Sequence, residues 1–100
     1  MNDTADLVGV LRAAGETTRL RLLALLADGE QSVKDLTEIL GQSQPRVSRH
    51  LKLLADAGLI TRNAEGAWAY YGLAPEGAGG DLARWLIGRL SPDDADRSRD

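Results

Sequence analysis

Residues 43–54 constrain the fold more than any other part of the sequence, because they combine two helical faces of opposite character. Val47, Leu51 and Leu54 are spaced at i, i+4 and i+7, so they share one face of a helix. The other side or its flank carries Pro45, Arg46, Ser48, Arg49 and Lys52. Positions 43 to 55 contain no Asp or Glu. The pattern predicts a helix over about residues 44–57 that packs through one face and exposes cations on the other.

A second short helix is predicted directly before this one. Ser32 and Asp35 have the Ser-x-x-Asp spacing of a capping signature that opens a helix. The apolar stripe of that helix consists of Leu36, Ile39 and Leu40. Residues 41–43 then form a tight turn, and Pro45 suits the first turn of the next helix, where its missing N–H costs nothing. Two short helices joined by about three residues are typical of a helix-turn-helix, although other helical hairpins share this pattern.

A β-hairpin is predicted after the 44–57 helix. The strand-like segments 59–62 and 67–73 flank a turn at residues 64–66. A hairpin in this position corresponds to the wing of a winged helix. Two helices are also predicted upstream, from about Thr4 or Ala5 to Ala14 and from about Thr17 to Ala27. The second is so rich in leucine that we expect it to be the buried central helix.

The C-terminal part is predicted to contain a linker, a helix and a tail. Residues 76–80 are small and are expected to form a flexible hinge, and a last helix follows at about residues 80–90. Its apolar stripe consists of Leu82, Trp85, Leu86 and Leu90. The expected fold class is mainly α with a small β-hairpin, a winged helix-turn-helix of order α-α-α-α-β-β-α. We expect residues 1–90 to form one domain and residues 91–100 a polar tail or linker.

The distribution of charge along the sequence favours a nucleic-acid partner more than the net charge of the protein does. The net charge is −3, yet residues 32–63 carry +2, with five basic and three acidic residues. This basic segment contains the 44–57 helix. A local basic surface matters more for phosphate contact than the global balance. The acidic remainder predicts weak non-specific binding, because few phosphates would be neutralised.

Composition excludes several other classes of protein. The sequence has no cysteine, so it offers no disulfide, thiolate metal site or thiol switch, which fits a cytoplasmic location. Its apolar runs are far shorter than the ~20 residues of a membrane span, so no membrane partner is expected. A single histidine and no nucleophile elbow argue against an enzyme. Gly77-Ala78-Gly79-Gly80 does not complete a dinucleotide-binding pattern because position 82 is Leu, so no cofactor is expected.

Four segments form a combination that is more specific than any of them alone. They are Thr-Arg-Leu-Arg-Leu-Leu at 18–23, Val-Ser-Arg-His-Leu at 47–51, Ala-Gly-Leu-Ile at 57–60 and Glu-Gly-Ala-Trp-Ala-Tyr-Tyr-Gly-Leu at 65–73. Over about residues 5–90 the chain resembles the ArsR/SmtB family of bacterial repressors. The resemblance implies a homodimer joined by its first and last helices. Such dimers place the fourth helix of each protomer in successive major grooves of an inverted repeat and block transcription until an effector releases them.

The resemblance also implies which residues contact double-stranded DNA. By position, contact with base edges falls to Gln44, Pro45, Ser48 and Arg49. Arginine pairs with guanine and glutamine with adenine through two hydrogen bonds. Contact with phosphates falls to Ser43, acting as helix cap, and to Arg46 and Lys52. Arg62 is the one cation of the wing, and the tip of the wing is otherwise uncharged or acidic. Strong contact between the wing and DNA is therefore not expected.

The sequence departs from the metal-sensing members of that family. Many of them bind metal through cysteines at the start of the third helix, where this chain has Ser32 and Lys34. Others pair Asp with His on the last helix, where this chain has Asp81 but no histidine. A zinc site needs three or four ligands, so no metal site is predicted and the effector stays unknown. The one histidine, His50, is expected to be packed and hydrogen-bonded, and Trp68, Tyr70 and Tyr71 are expected to pack in the hairpin and core.

The sequence therefore predicts a dimeric DNA-binding transcriptional repressor that is not a metal sensor. The alternative is a winged-helix dimerisation module of a larger enzyme, such as a methyltransferase, without its own contact with DNA. A related hypothesis is that the chain is the DNA-binding segment of a protein that continues into an S-adenosylmethionine-dependent methyltransferase domain.

Overall fold

The computed structural model describes residues 4–90, and the predicted tail at 91–100 lies outside this range. Within it, the elements are α1 (Thr4–Ala14), α2 (Thr17–Ala27), β1 (Gln31–Ser32), α3 (Val33–Leu40), α4 (Gln44–Asp56), β2 (Ile60–Glu65), β3 (Trp68–Leu73) and α5 (Gly77–Ile87). Five helices and a small antiparallel sheet in this order form a winged helix. The predicted fold class is confirmed.

Local capping interactions explain why α3 begins and ends where the sequence predicts. The Asp35 N–H donates to the Ser32 Oγ at 3.2 Å, as the capping signature requires. At the other end Gly41 adopts the left-handed conformation, with a φ of 67°. The predicted bounds of α1 and α2 are confirmed as well. The boundaries of α3 thus follow from residues directly beside each end of the helix.

The core is built around α2, as the leucine content predicts. Leu22 and Leu23 are fully buried, and α3, α4 and α5 each contribute a buried residue that packs with them, namely Leu36, Leu51 and Ala83. Because α2 buries residues around most of its circumference, the other helices are arranged on all sides of it. This arrangement fixes α4 against the centre of the domain.

The hairpin is longer than predicted and belongs to a three-stranded antiparallel sheet of order β1-β3-β2. Ile60 pairs with Leu73 and Glu65 with Trp68, so a two-residue turn at Gly66-Ala67 replaces the turn predicted at 64–66. Gly66 has a φ of 63°, which suits the first position of a tight hairpin turn. The short strand β1, which was not predicted, pairs with Tyr70 and Tyr71.

The hairpin aromatics have two different environments. Tyr71 packs against the core, and Tyr70 is half-buried. Trp68 is 58% exposed, so the prediction that it packs in the hairpin and core is wrong. It sits at the end of the hairpin, opposite Glu65, where no helix of the domain covers it.

Residues 76–80 are not a flexible linker, and this prediction is wrong. Helix α5 begins at Gly77, and Gly79 and Gly80 are buried in its first turns. A Cβ at Gly79 would lie 2.2 Å from the carbonyl oxygen of Gly58, and one at Gly80 would lie 2.3 Å from that of Ala74. The glycines are therefore required for close packing of α5 against two backbone segments, rather than for flexibility.

Within residues 4–90, no helix combines the length and the apolar character needed to cross a membrane.

Candidate nucleic-acid interface

Helix α4 is held in place by its apolar face. Val47, Leu51 and Leu54 have no exposed surface, which confirms the stripe predicted from their spacing. Their burial against the core fixes which side of α4 faces away from the protein.

The opposite side of α4 brings most of the predicted DNA-contacting residues together. Gln44, Pro45, Arg46, Arg49 and Lys52 are exposed, and Ser48 is half-buried. The exposed side of α4 thus carries two guanidinium groups, and the Gln44 amide is exposed in the first turn. That surface has the size of a single helix face, which the major groove of B-DNA can accommodate.

The N-terminus of α4 points into solvent without a side-chain cap. Ser43 occupies the N-cap position, but its side chain makes no capping hydrogen bond, contrary to its expected role as a side-chain cap. Its carbonyl oxygen accepts the first helical hydrogen bond, from the Val47 N–H at 3.0 Å. The first turn also contains no acidic residue. The positive end of the helix dipole is therefore available to an anion such as a DNA phosphate.

Lys52 has an acidic neighbour that the sequence interpretation overlooked. Its Nζ lies 2.9 Å from the Asp56 Oδ2, one turn further along α4, and both side chains are largely exposed. The acid-free surface thus ends at Asp56. Because exposed ion pairs are weak, Lys52 is able to leave Asp56 for a phosphate. The competing carboxylate nevertheless makes Lys52 a poorer candidate for a phosphate contact than Arg46.

The wing offers little positive charge. Arg62 is exposed on β2, opposite Tyr71. The side chain of the neighbouring Asn63 already has a hydrogen-bond partner, since its Nδ2 donates to the Glu30 Oε2 at 2.7 Å. The tip beyond it carries the acidic Glu65.

Lys34 is a cation near this surface that sequence reasoning did not assign to DNA. It is exposed in the first turn of α3 and lines a shallow groove together with Gln44 at the start of α4. The first helix of a helix-turn-helix crosses the DNA backbone, so a lysine at its N-terminal end is suited to a phosphate. The position of Lys34 at the start of the first helix of the helix-turn-helix is the sequence signal that indicates this contact.

His50 lies at the edge between the two faces of α4 and is half-buried. Its Nδ1 is 3.1 Å from the Arg19 Nη1 on α2. The prediction of a packed, hydrogen-bonded histidine is confirmed.

A metal site is not evident in the part of the chain that the structure describes, where no three His, Cys, Asp or Glu residues cluster suitably. Ser32 caps α3 and is buried, while Asp81 accepts a hydrogen bond from Arg84 at 2.8 Å. Ser32 and Asp81 thus have hydrogen-bond partners within the protein, and Lys34 carries a positive charge at the third position.

Comparison with known proteins agrees with this geometry. Residues 16–62 match the family model described as "Bacterial regulatory protein, arsR family". The chain belongs to the ArsR family. It is 41% identical to the arsenical resistance operon repressor of Bacillus subtilis strain 168 over 76 residues, which is 75% of this chain and 72% of that protein. Members of this family are transcriptional regulators and not enzymes.

Two further relatives show the extent of the likeness. The arsenical resistance operon repressor of Escherichia coli K12 is 41% identical over 69 residues, which cover 68% of this chain but only 59% of that repressor. The solution structure of the homodimeric winged helix-turn-helix DNA-binding domain of Mb0332 from Mycobacterium bovis matches with a TM-score of 0.73 and 32% identity. That match covers 82% of this chain and 72% of the other.

Proposed function

We propose that this protein is a homodimeric transcriptional repressor that binds an inverted repeat in double-stranded DNA and occludes a promoter. One observation carries the proposal: α4 exposes Arg49 and Lys52 opposite its fully buried stripe, with Arg46 exposed on the flank and Gln44 exposed in the first turn. Helix α4 is called the recognition helix below. Placed in the major groove, this face would present groups that read base edges and groups that bind phosphates.

We assign the two kinds of contact to different residues. Gln44, Pro45, Ser48 and Arg49 contact base edges, with Arg49 the main determinant of sequence. Ser43 and Arg46 contact phosphates, together with Lys52 once it leaves Asp56. Arg62 supplies a weak contact from the wing, and Lys34 adds a phosphate contact from α3.

The dimer places two recognition helices on one face of the DNA. Helix α1 exposes Leu7, Val8 and Leu11, and helix α5 exposes Trp85. These surfaces support a two-fold interface through the first and last helices, as does the homodimeric state of the related M. bovis domain. The two recognition helices would then be about 34 Å apart, one turn of DNA.

The proposed domain covers residues 1–90, followed by a tail or linker at 91–100. We propose that the domain does not sense metals, because it contains no cysteine, its Ser32 is buried as the cap of α3, and no histidine accompanies Asp81 on α5. Whether the reading frame continues into an enzyme such as a methyltransferase is tested by sequencing past the codon for Asp100.

The proposal is tested by selecting binding sites from random DNA and titrating them in gel shifts. We expect the wild type to prefer its selected site by at least ~10³-fold over random DNA at physiological salt. Arg49→Ala should lose about 1–3 kcal/mol of discrimination at one base pair in each half-site. Arg46→Ala should instead weaken binding to all sequences and lower the salt slope by about one per protomer.

Control measurements separate this function from its rival. Arg12→Ala removes an exposed arginine of α1 and should leave selectivity unchanged. Adding Zn²⁺ or arsenite should not release the DNA. Absent or salt-insensitive binding by the wild type would favour a dimerisation module of a larger enzyme instead.

A further inference from the structure

Arg19 connects three helices through a single side chain. It lies in the first turn of α2 and is half-buried. Its Nε donates to the carbonyl oxygen of Ala13 in the last turn of α1. Its Nη1 lies 3.1 Å from the His50 Nδ1 on α4. The helix proposed for dimerisation and the recognition helix are thus linked by one guanidinium group.

The chemistry of this link determines the state of the histidine. A guanidinium group is always protonated and can only donate, so the His50 Nδ1 must accept. This hydrogen bond therefore requires the imidazole tautomer whose proton is on Nε2. Since the guanidinium is planar and rigid, it holds both of its acceptors in fixed directions. A lysine carries one point charge on a flexible stem and cannot hold both acceptors in this way.

The link supplies what the apolar face of α4 lacks. Burial of Val47, Leu51 and Leu54 fixes which side of α4 faces the core, but apolar contacts are non-directional and set the rotation of the helix only coarsely. A hydrogen bond has a preferred direction, so the Arg19–His50 contact restrains rotation of α4 about its own axis. His50 is the residue after Arg49, and any such rotation would displace Arg49 from its base.

A second hydrogen bond connects the start of α2 to the turn before α4. Thr18, the residue before Arg19, accepts a hydrogen bond through its Oγ1 from the Gln42 Nε2 at 3.4 Å. Gln42 lies in the turn between α3 and α4. Two successive residues of α2 thus contact both the turn before the recognition helix and the helix itself.

We propose that Arg19 and His50 are positioning residues that set the rotation of the recognition helix relative to α1. They thereby determine how accurately Arg49 meets its base in both half-sites of the operator. This proposal rests on the proposed function, because it concerns the DNA contact of the same helix. In a two-fold dimer a rotational error occurs once in each protomer, so selectivity for half-site spacing should suffer along with selectivity for sequence.

The test uses substitutions that differ in hydrogen-bonding capacity. His50→Leu removes the acceptor, whereas His50→Asn retains one close to the position of Nδ1. Arg19→Lys keeps the positive charge but loses the planar fork. Arg12→Lys makes the same change at an exposed arginine of α1 and serves as the matched control. Affinity is measured for the site that the wild type selects, for the same site with its half-sites one or two base pairs further apart, and for random DNA.

We expect His50→Leu and Arg19→Lys to weaken binding to the selected site about tenfold, which corresponds to one hydrogen bond to a charged group. Binding to random DNA should change by less than about twofold, because phosphate contacts do not depend on base alignment. Both variants should also distinguish less sharply between spacings. His50→Asn should restore most of the affinity and the spacing preference, and Arg12→Lys should behave as the wild type.

Other outcomes would overturn the proposal. If His50→Asn loses as much affinity as His50→Leu, or if binding to selected and random DNA falls in parallel, the contact serves only to stabilise the fold. Circular dichroism shows whether each variant is folded. If His50→Leu does not fold, the affinities of His50→Asn and Arg19→Lys test the proposal in its place. A wild type that selects no sequence would overturn the proposed function and this proposal together. A selective wild type with equally selective variants would overturn this proposal alone.

Discussion

Neighbouring residues of the recognition helix have opposite environments, and Leu51 and Leu53 illustrate the difference. Leu51 is fully buried in the core, whereas Leu53, two positions along the same helix, is 38% exposed. The two residues have the same side chain and the same helical propensity. A comparison between them therefore isolates the effect of burial.

Leu51→Ala should lower the free energy of unfolding by about 2–5 kcal/mol, because it removes buried methyl groups and leaves a cavity. Leu53→Ala should lower it by about 1 kcal/mol, because more than a third of Leu53 stays in solvent and less apolar contact is lost. Urea denaturation followed by circular dichroism measures both values. Equal losses in the two variants would contradict the assignment of the buried stripe.

The sequence predicted the burial pattern of α4 better than it predicted the partners of its polar groups. Val47, Leu51 and Leu54 could be assigned from periodicity alone, because burial repeats with the helix. The contact between Arg19 and His50 could not, since these residues are 31 positions apart and meet only when α2 packs on α4. The pair between Lys52 and Asp56 has ordinary i, i+4 spacing and was missed because Asp56 lies just beyond the acid-free segment.

At the level of secondary structure, elements with local signals were predicted correctly and elements that depend on distant partners were not. Ser32 and Asp35 define the start of α3 within four residues. Strand β1 exists only because Gln31 and Ser32 pair with Tyr71 and Tyr70, almost 40 positions away, so no local pattern indicates it. The glycines at the start of α5 were misinterpreted for the same reason, since their packing partners Gly58 and Ala74 lie outside the segment.

Two glycine substitutions should have opposite effects on stability. Gly79→Ala should destabilise the protein by about 1–3 kcal/mol, because the new Cβ would overlap the Gly58 carbonyl and push α5 outward. Gly9→Ala should stabilise it by about 0.5–1 kcal/mol, because Gly9 is within α1 and a Cβ there meets no atom within 4 Å. Thermal unfolding compares the two variants with the wild type. If residues 76–80 were a flexible hinge, Gly79→Ala would have little effect.

At the level of the whole molecule, charge and apolar surface are segregated. Basic residues concentrate between positions 32 and 63, which contain the helix-turn-helix and β2, while the rest of the chain is acidic. Within residues 4–90, four of the six large exposed apolar residues lie instead on α1 and α5, and the other two, Leu53 and Trp68, lie on α4 and β3. The distribution favours approach to DNA through the helix-turn-helix and association with a second copy through the terminal helices.

The interface between two copies can be tested at Leu11, which is 50% exposed on α1. Leu11→Lys would bury a charge at the proposed two-fold contact, so we expect a monomer at micromolar concentrations. Its affinity for a full inverted repeat should fall to that for a single half-site, because the second recognition helix is no longer tethered. Light scattering coupled to size-exclusion chromatography measures the mass, and gel shifts measure the affinity.

Trp68→Lys provides the matched control, since it places the same charge at a 58% exposed apolar residue that belongs to β3 and not to α1 or α5. This variant should remain dimeric and should keep the difference between full and half-sites. A dimeric Leu11→Lys protein would show that α1 does not form the interface. Loss of the dimer in both variants would instead assign the interface to the hairpin, and the two recognition helices would then have a different separation on the DNA.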